Sequence, residues 1–165
     1  MKKILQPLFV LALGLGASAC QTQEAEQQSA IEEPAAAVDT DAIRAGVEDA
    51  AQQWSAAAGA GDAEALTNLY AADATIYAPD TPPVTGRDAI HAFFTEMVSE
   101  GPTPTTLTTN EVIIPESGEI AIELGSFTDA TGSGKYVGVY KNIDGNWKLI
   151  ADAWNSNGPA TANTE

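Results

Sequence analysis

One histidine, His91, and one cysteine, Cys20, are the only imidazole and thiol in this chain of 165 residues. His and Cys metal clusters need several such ligands, and an HExxH site needs a second histidine, so neither can be assembled here. Thiol–imidazole catalysis falls with them, and no metal or cofactor is expected. His91 lies off the apolar stripe of its predicted helix and reads as an exposed residue. Gly132-Ser133-Gly134-Lys135 ends like a phosphate-binding loop, but Asp129 stands where the first glycine is needed. Tyr136 stands where a hydroxyl should meet Mg²⁺, so the run reads as a hairpin turn. Carboxylates are abundant, yet without a cage of spaced oxygen ligands they describe a solvated surface. Asp152 is different, because it alternates with Ile150 and Trp154 and shares one strand face with them.

The elements that must position these groups follow from periodicity. Asp39, Thr40 or Asp41 can cap a first helix whose stripe is Ile43, Val47, Ala50, Ala51, Trp54 and Ala58, turning Trp54 inward; Gly59 and Gly61 end it. Asp62 can cap a short second helix with Leu66, Leu69 and Tyr70 on one face. A short strand over 74–78 is stopped by Pro79, Pro82 and Pro83. Thr85 and Asp88 have capping-box spacing before a helix carrying Ala89, Ile90, Phe93, Phe94, Met97 and Val98. Past Gly101 the pattern alternates, predicting four strands near 104–114, 119–128, 135–142 and 146–156, joined as an antiparallel meander. Ile120, Ile122 and Leu124 share one face of the second. Helices first and a sheet afterwards predict an α+β arrangement of two packed layers.

The run from Gly61 to Met97 carries a family resemblance: Gly61-Asp62, the helix into Leu69-Tyr70-Ala71-Ala72-Asp73-Ala74, Pro79, Pro82-Pro83, Gly86-Arg87, Ile90 and the pair Phe93-Phe94. It resembles the nuclear transport factor 2-like superfamily, which includes ketosteroid isomerases and SnoaL-like polyketide cyclases, from about Asp41 to Asn157. The resemblance implies a cone: three N-terminal helices packed on a curved, mainly antiparallel sheet, with a pocket at one end. It implies pocket walls at Trp54, Tyr70, Ile76, Phe94, Ile150 and Trp154. The isomerases keep an Asp base immediately before the proline matched by Pro79, where this chain has Ala78. Trp54 and Phe94 replace two of their tyrosines, Tyr70 keeps the third, and Tyr136 to Val139 lacks their second oxyanion donor, an Asp. Steroid isomerisation of the usual kind is therefore excluded. Asp152, on the strand whose Trp154 matches a pocket residue, is the candidate acid/base, as SnoaL-like cyclases carry theirs on a late strand. Burial would raise its pKa toward that of a useful base. The alternative is that Asp152 satisfies Trp54 Nε1–H or the Tyr70 hydroxyl and does no chemistry.

Residues 1–19 read as a secretory leader: Lys2 and Lys3, an apolar run from Ile4, then Ala17-Ser18-Ala19 before Cys20. The leader's end resembles a bacterial lipobox, implying cleavage before Cys20, lipidation of it and, with Gln21 next, outer-membrane placement facing the periplasm. A soluble periplasmic or secreted protein is the alternative. Residues 20–38 read as a flexible tether, 39–157 as the one folded domain, and 158–165 as a frayed tail. The formal charge of −16 becomes two units more negative without Lys2 and Lys3, and repels phosphate backbones, so nucleic acid is not an expected partner. Three functions stay open: small-molecule binding in an aromatic pocket, acid/base enzymology at Asp152 (isomerase, cyclase or dehydratase), and a structural homodimer through the sheet's outer face.

Overall fold

The computed structural model describes residues 37–158. The leader, Cys20 with most of the tether, and the end of the tail lie outside the described residues. Three helices come first or early, α1 (Thr40–Ala60), α2 (Ala63–Asn68) and α3 (Arg87–Met97). The strands are β1 (Tyr70–Tyr77), β2 (Val84–Thr85), β3 (Thr106–Ile113), β4 (Ile120–Asp129), β5 (Gly132–Ile143) and β6 (Asn146–Ser156). They form one curved sheet in the order β2-β1-β6-β5-β4-β3, with β3 to β6 an antiparallel meander and β1 parallel to β6. The fold is α+β, helices on one face of the sheet, as the periodicity predicts.

Local chemistry explains the boundaries. Asp39 accepts from the Ala42 amide at 3.0 Å to start α1, and Gly61 ends it at φ 68°, a left-handed conformation that costs glycine little. Asp62 caps α2 through the Ala65 amide. Two expectations are corrected here. Tyr70 opens β1 instead of closing α2, because Leu69 ends the helix and its carbonyl pairs with the Leu149 amide of β6. The Thr85–Asp88 capping box does not form: Thr85 belongs to β2, its hydroxyl meets that of Thr75, and Gly86 at φ 87° starts α3 with its backbone carbonyl alone.

The core lies between the helices and the inner sheet face. Val47 and Ala58 of α1, Leu66 of α2, Ile76 of β1 and Ile90 and Phe94 of α3 are fully buried. Each large side chain among them contributes roughly 1.5–3 kcal/mol by leaving water. Ala89, expected on the α3 stripe, is exposed, so the buried stripe is narrower than the sequence pattern. Among the described residues no helix is long and apolar enough to cross a membrane.

Candidate functional site

The inner face of β4, β5 and β6 carries a row of three registered positions. Glu123 pairs with Gly138, and Gly138 pairs with Asp152. Strands lie 4.7–4.9 Å apart, so the two acidic residues stand about 10 Å apart across a glycine. Gly138 has no side chain to fill the gap, and a Cβ there would press on the rings of Tyr140 (2.8 Å) and the methyls of Leu149 (3.0 Å). A cavity of about 180 Å³ opens over this floor. Trp54 of α1, Met97 of α3, Leu107, Phe127 and Trp154 supply its apolar walls; Thr103, Thr105, Asp129, Tyr136, Tyr140 and Asp152 supply its polar ones.

Asp152 is 8% exposed, and its Oδ2 accepts from the Tyr70 hydroxyl at 2.7 Å. Trp54 Nε1–H in turn donates to that hydroxyl at 3.1 Å, so α1, β1 and β6 are joined by one relay. Burial pushes the Asp152 carboxyl up from 3.8 to about 6; the Tyr70 hydrogen bond pulls against this, and nearby Glu123 adds to it. Tyr70 is held well above its ordinary value, first by burial and then by Asp152, and so stays a neutral donor.

Glu123 sits wholly out of solvent at the other end of the row. Its Oε1 accepts from Thr109 (2.6 Å) and Tyr136 (2.8 Å), and its Oε2 from Tyr140 (2.8 Å). Three hydroxyl donors satisfy a carboxylate that would otherwise be costly to bury. Burial, followed by the proximity of Glu123, raises the pKa of both tyrosines far above the ordinary phenol value. Tyr136 reaches Glu123 by lying across Gly125 of β4, where a Cβ would collide with its ring.

The expected site residues divide between cavity and core. Trp54, Asp152 and Trp154 line the cavity. Tyr70, Ile76 and Phe94 are instead packed in the core, at 3%, 0% and 0% exposure, with the Phe94 ring against Tyr70 and Trp54. Ile150 is displaced from the wall by a bulge: Val139 pairs with Ala151 while Tyr140 pairs with Leu149, leaving Ile150 unmatched and Leu149 facing the cavity. Sequence reasoning missed Glu123, Tyr136, Gly138 and Tyr140. The available signal was Tyr136-x-Gly138-x-Tyr140, three positions of one strand face at the period of two. His91 is exposed, stands 3.5 Å from Glu64 and does not line the cavity. Among the described residues no three His, Cys, Asp or Glu side chains are grouped to hold a metal.

A helical layer over a curved mixed sheet with a pocket on its inner face defines a cystatin-like, nuclear transport factor 2-like fold. The model of the SnoaL-like domain family matches residues 51–150, and the chain belongs to that family. Similar solved structures include a ketosteroid isomerase-like protein from Erwinia carotovora atroseptica, 21% identical, TM-score 0.59, covering 70% of this chain and 96% of that one. An ntf2-like protein with a cystatin-like fold from Novosphingobium aromaticivorans is 18% identical, TM-score 0.60, with coverage of 73% and 86%. A domain of unknown function with a cystatin-like fold from Nostoc punctiforme is 15% identical, TM-score 0.62, with coverage of 72% and 80%. At these identities the likeness is one of fold. No curated protein matches the sequence.

Proposed function

We infer that this chain is a cell-envelope lipoprotein whose SnoaL-like domain binds a small, mostly apolar molecule between α1, α3 and the inner face of the sheet. The observation that carries the reading is the cavity of about 180 Å³, walled by Trp54, Leu107, Phe127 and Trp154, with the Asp152 carboxylate on its floor. Apolar walls with a few convergent polar groups are what small-molecule sites share. The hydroxyl of Tyr70 already engages Asp152, so the carboxylate is held in one orientation toward the cavity. A thermal-shift screen of apolar metabolites tests the reading. A ligand at a hundredfold its Kd stabilises by about 2.7 kcal/mol, and a screen in which nothing raises the melting temperature moves the weight to a structural role.

The placement of Asp152 favours a second reading, acid/base catalysis. Its carboxyl is buried on the cavity wall and held by the Tyr70 hydroxyl, and burial pushes it up to about 6, where it can take and return protons near neutral pH. Steady-state assays against Δ5-3-ketosteroids and polyketide esters decide between the two. Turnover that disappears in Asp152→Asn makes the domain an enzyme; no turnover leaves it a binding module.

The envelope placement rests on the leader and on Cys20, the chain's one thiol. Acylation of Cys20 would hold the protein to the membrane, facing the periplasm. Metabolic labelling with a fatty-acid analogue is expected to mark the wild type and not Cys20→Ser. Equal labelling of both, or of neither, removes the anchor.

A further inference from the structure

The polar groups around the cavity have their hydrogens already committed. Tyr136 and Tyr140 donate to Glu123, Trp54 Nε1–H donates to Tyr70, and the Thr105 hydroxyl donates to the Thr103 carbonyl. What these groups leave for an occupant is lone pairs. Asp152 adds more: a carboxylate offers about four acceptor positions, and Tyr70 takes one. Asp129 supplies a further carboxylate on the wall, itself accepting from the amide and hydroxyl of Thr131. The Thr103 Oγ1 is the exception: it is buried on this wall without a hydrogen-bond partner and can accept as well as donate.

Charge points the same way. Asp152 and Glu123 flank Gly138 about 10 Å apart, a spacing of two strands. No Lys, Arg or His of the described residues lines the cavity. The described ion pairs, Glu64 with Arg87 and with His91, involve neither carboxylate. Two buried acids without a cation make a field that favours a positive occupant, and indole faces add cation–π attraction. The chain's net charge of −16 would also draw cations toward it.

We propose that the cavity takes a small organic ammonium ion, a primary or secondary amine on an apolar body of about one aromatic ring, with its N–H groups donating to Asp152 and to the phenol oxygens of Tyr136 and Tyr140. The proposal rests on the small-molecule reading above and narrows it to one ligand class. The size follows from the volume: an apolar cavity near 150 Å³ holds benzene, and this one holds about 180 Å³. The neutral alcohol of the same shape offers one donor where a primary ammonium offers three and a secondary one two, and a carboxylate would meet Asp152 and Asp129 as a third like charge. Asp152 faces Tyr70 from β1, Glu123 from β4 and Tyr136 and Tyr140 from β5, none of them a cation. Protonating it as pH falls through about 6 therefore removes the charge nearest the ammonium.

Isothermal titration of the full-length protein with benzylamine, benzyl alcohol and benzoate at pH 7.5 and pH 5 tests this. The expected result is benzylamine binding at least about tenfold tighter than benzyl alcohol at pH 7.5, with benzoate not bound. The preference should shrink at pH 5 and in Asp152→Asn, whose folding is checked by circular dichroism. Because the three probes are compared on the wild-type protein, a poorly folded variant leaves the central comparison intact. Equal or tighter binding of the alcohol or of benzoate overturns the ammonium proposal while leaving the cavity a binding site. No binding of any probe also overturns it, and only an empty apolar-metabolite screen in addition would bring down the binding reading.

Discussion

At the scale of single residues, the two inner-face acids have opposite effects on stability. Asp152 is shifted upward on folding, from 3.8 to about 6, so the folded state holds its proton more tightly than the unfolded state does. Its contribution is therefore fully present below about pH 4 and is lost as pH rises through 6. At 1.36 kcal/mol per pH unit this is on the order of 2–3 kcal/mol against folding at neutral pH. Asp152→Asn should keep the Tyr70 hydrogen bond and lose that pH dependence. The denaturant midpoint of wild type minus variant, followed from pH 4 to pH 7, is expected to fall steadily; a flat difference would show that Asp152 titrates as it does in the unfolded chain. Glu123 acts in the other direction, since three hydroxyls depend on it. Glu123→Ala should cost roughly 2–4 kcal/mol, because those donors would be left buried and unpaired. Chemical denaturation measures it, and a loss below about 0.5 kcal/mol would mean that the network is replaced by water. Asp152 could be found in the sequence because Trp154, two residues on, shares its strand face; the bulge that gives Leu149 the place expected of Ile150 leaves no trace in the alternation. Glu123 could not, because a lone acid between Ile122 and Leu124 looks like the solvent side of a half-buried strand.

At the scale of elements, β4 shows why alternation gives the strand and not its orientation. Ile120, Ile122 and Leu124 do share a face, but it is the outer one; the face toward the helices carries Ala121, Glu123 and Gly125. Small residues and an acid make sense there only once Tyr136 and Tyr140 of β5 are seen to lean over them, a contact between strands that no single-strand pattern contains. Boundaries failed for a similar reason: Tyr70 has helical spacing from Leu66, yet pairing of β1 with β6 decides its conformation. α3 was legible because its stripe is long, and Phe94, fully buried among Tyr70, Phe93 and Trp54, is its anchor. Phe94→Ala should lose roughly 3–5 kcal/mol, the usual cost of emptying an aromatic site in a packed core. Gly125→Ala tests the strand-to-strand contact directly. The added methyl must displace the Tyr136 ring, costing roughly 1–3 kcal/mol and breaking the bond to Glu123. Tyr136→Phe in the Gly125→Ala background should then add little, and full additivity of the two changes would show that the ring had not moved.

At the scale of the whole molecule, the outer face of the sheet is the surface that the fold leaves unexplained. An antiparallel sheet covered by helices on one side ordinarily presents polar residues on the other. Here two apolar rows cross it in register, Ile113, Ile122, Val139 and Ala151 in one and Leu124, Val137, Ala153 and Tyr77 in the other. Ile113 at 42%, Val137 at 40% and Tyr77 at 49% are among the large hydrophobic side chains most open to water. A second copy of the chain, meeting face to face, is the occupant that the third sequence reading proposes. Self-association of a chain carrying −16 must overcome repulsion between like-charged copies, so added salt should strengthen it. The expected outcome in analytical ultracentrifugation is a dimer whose dissociation constant falls as salt is raised, and a monomer for Val137→Glu, which sets like charges against each other at the centre of the face. Because Val137 lies outside the core, the variant should remain folded and keep its ligand affinity if the cavity acts within one subunit. A wild type that sediments as a monomer at every salt concentration would assign the apolar rows to something other than self-association.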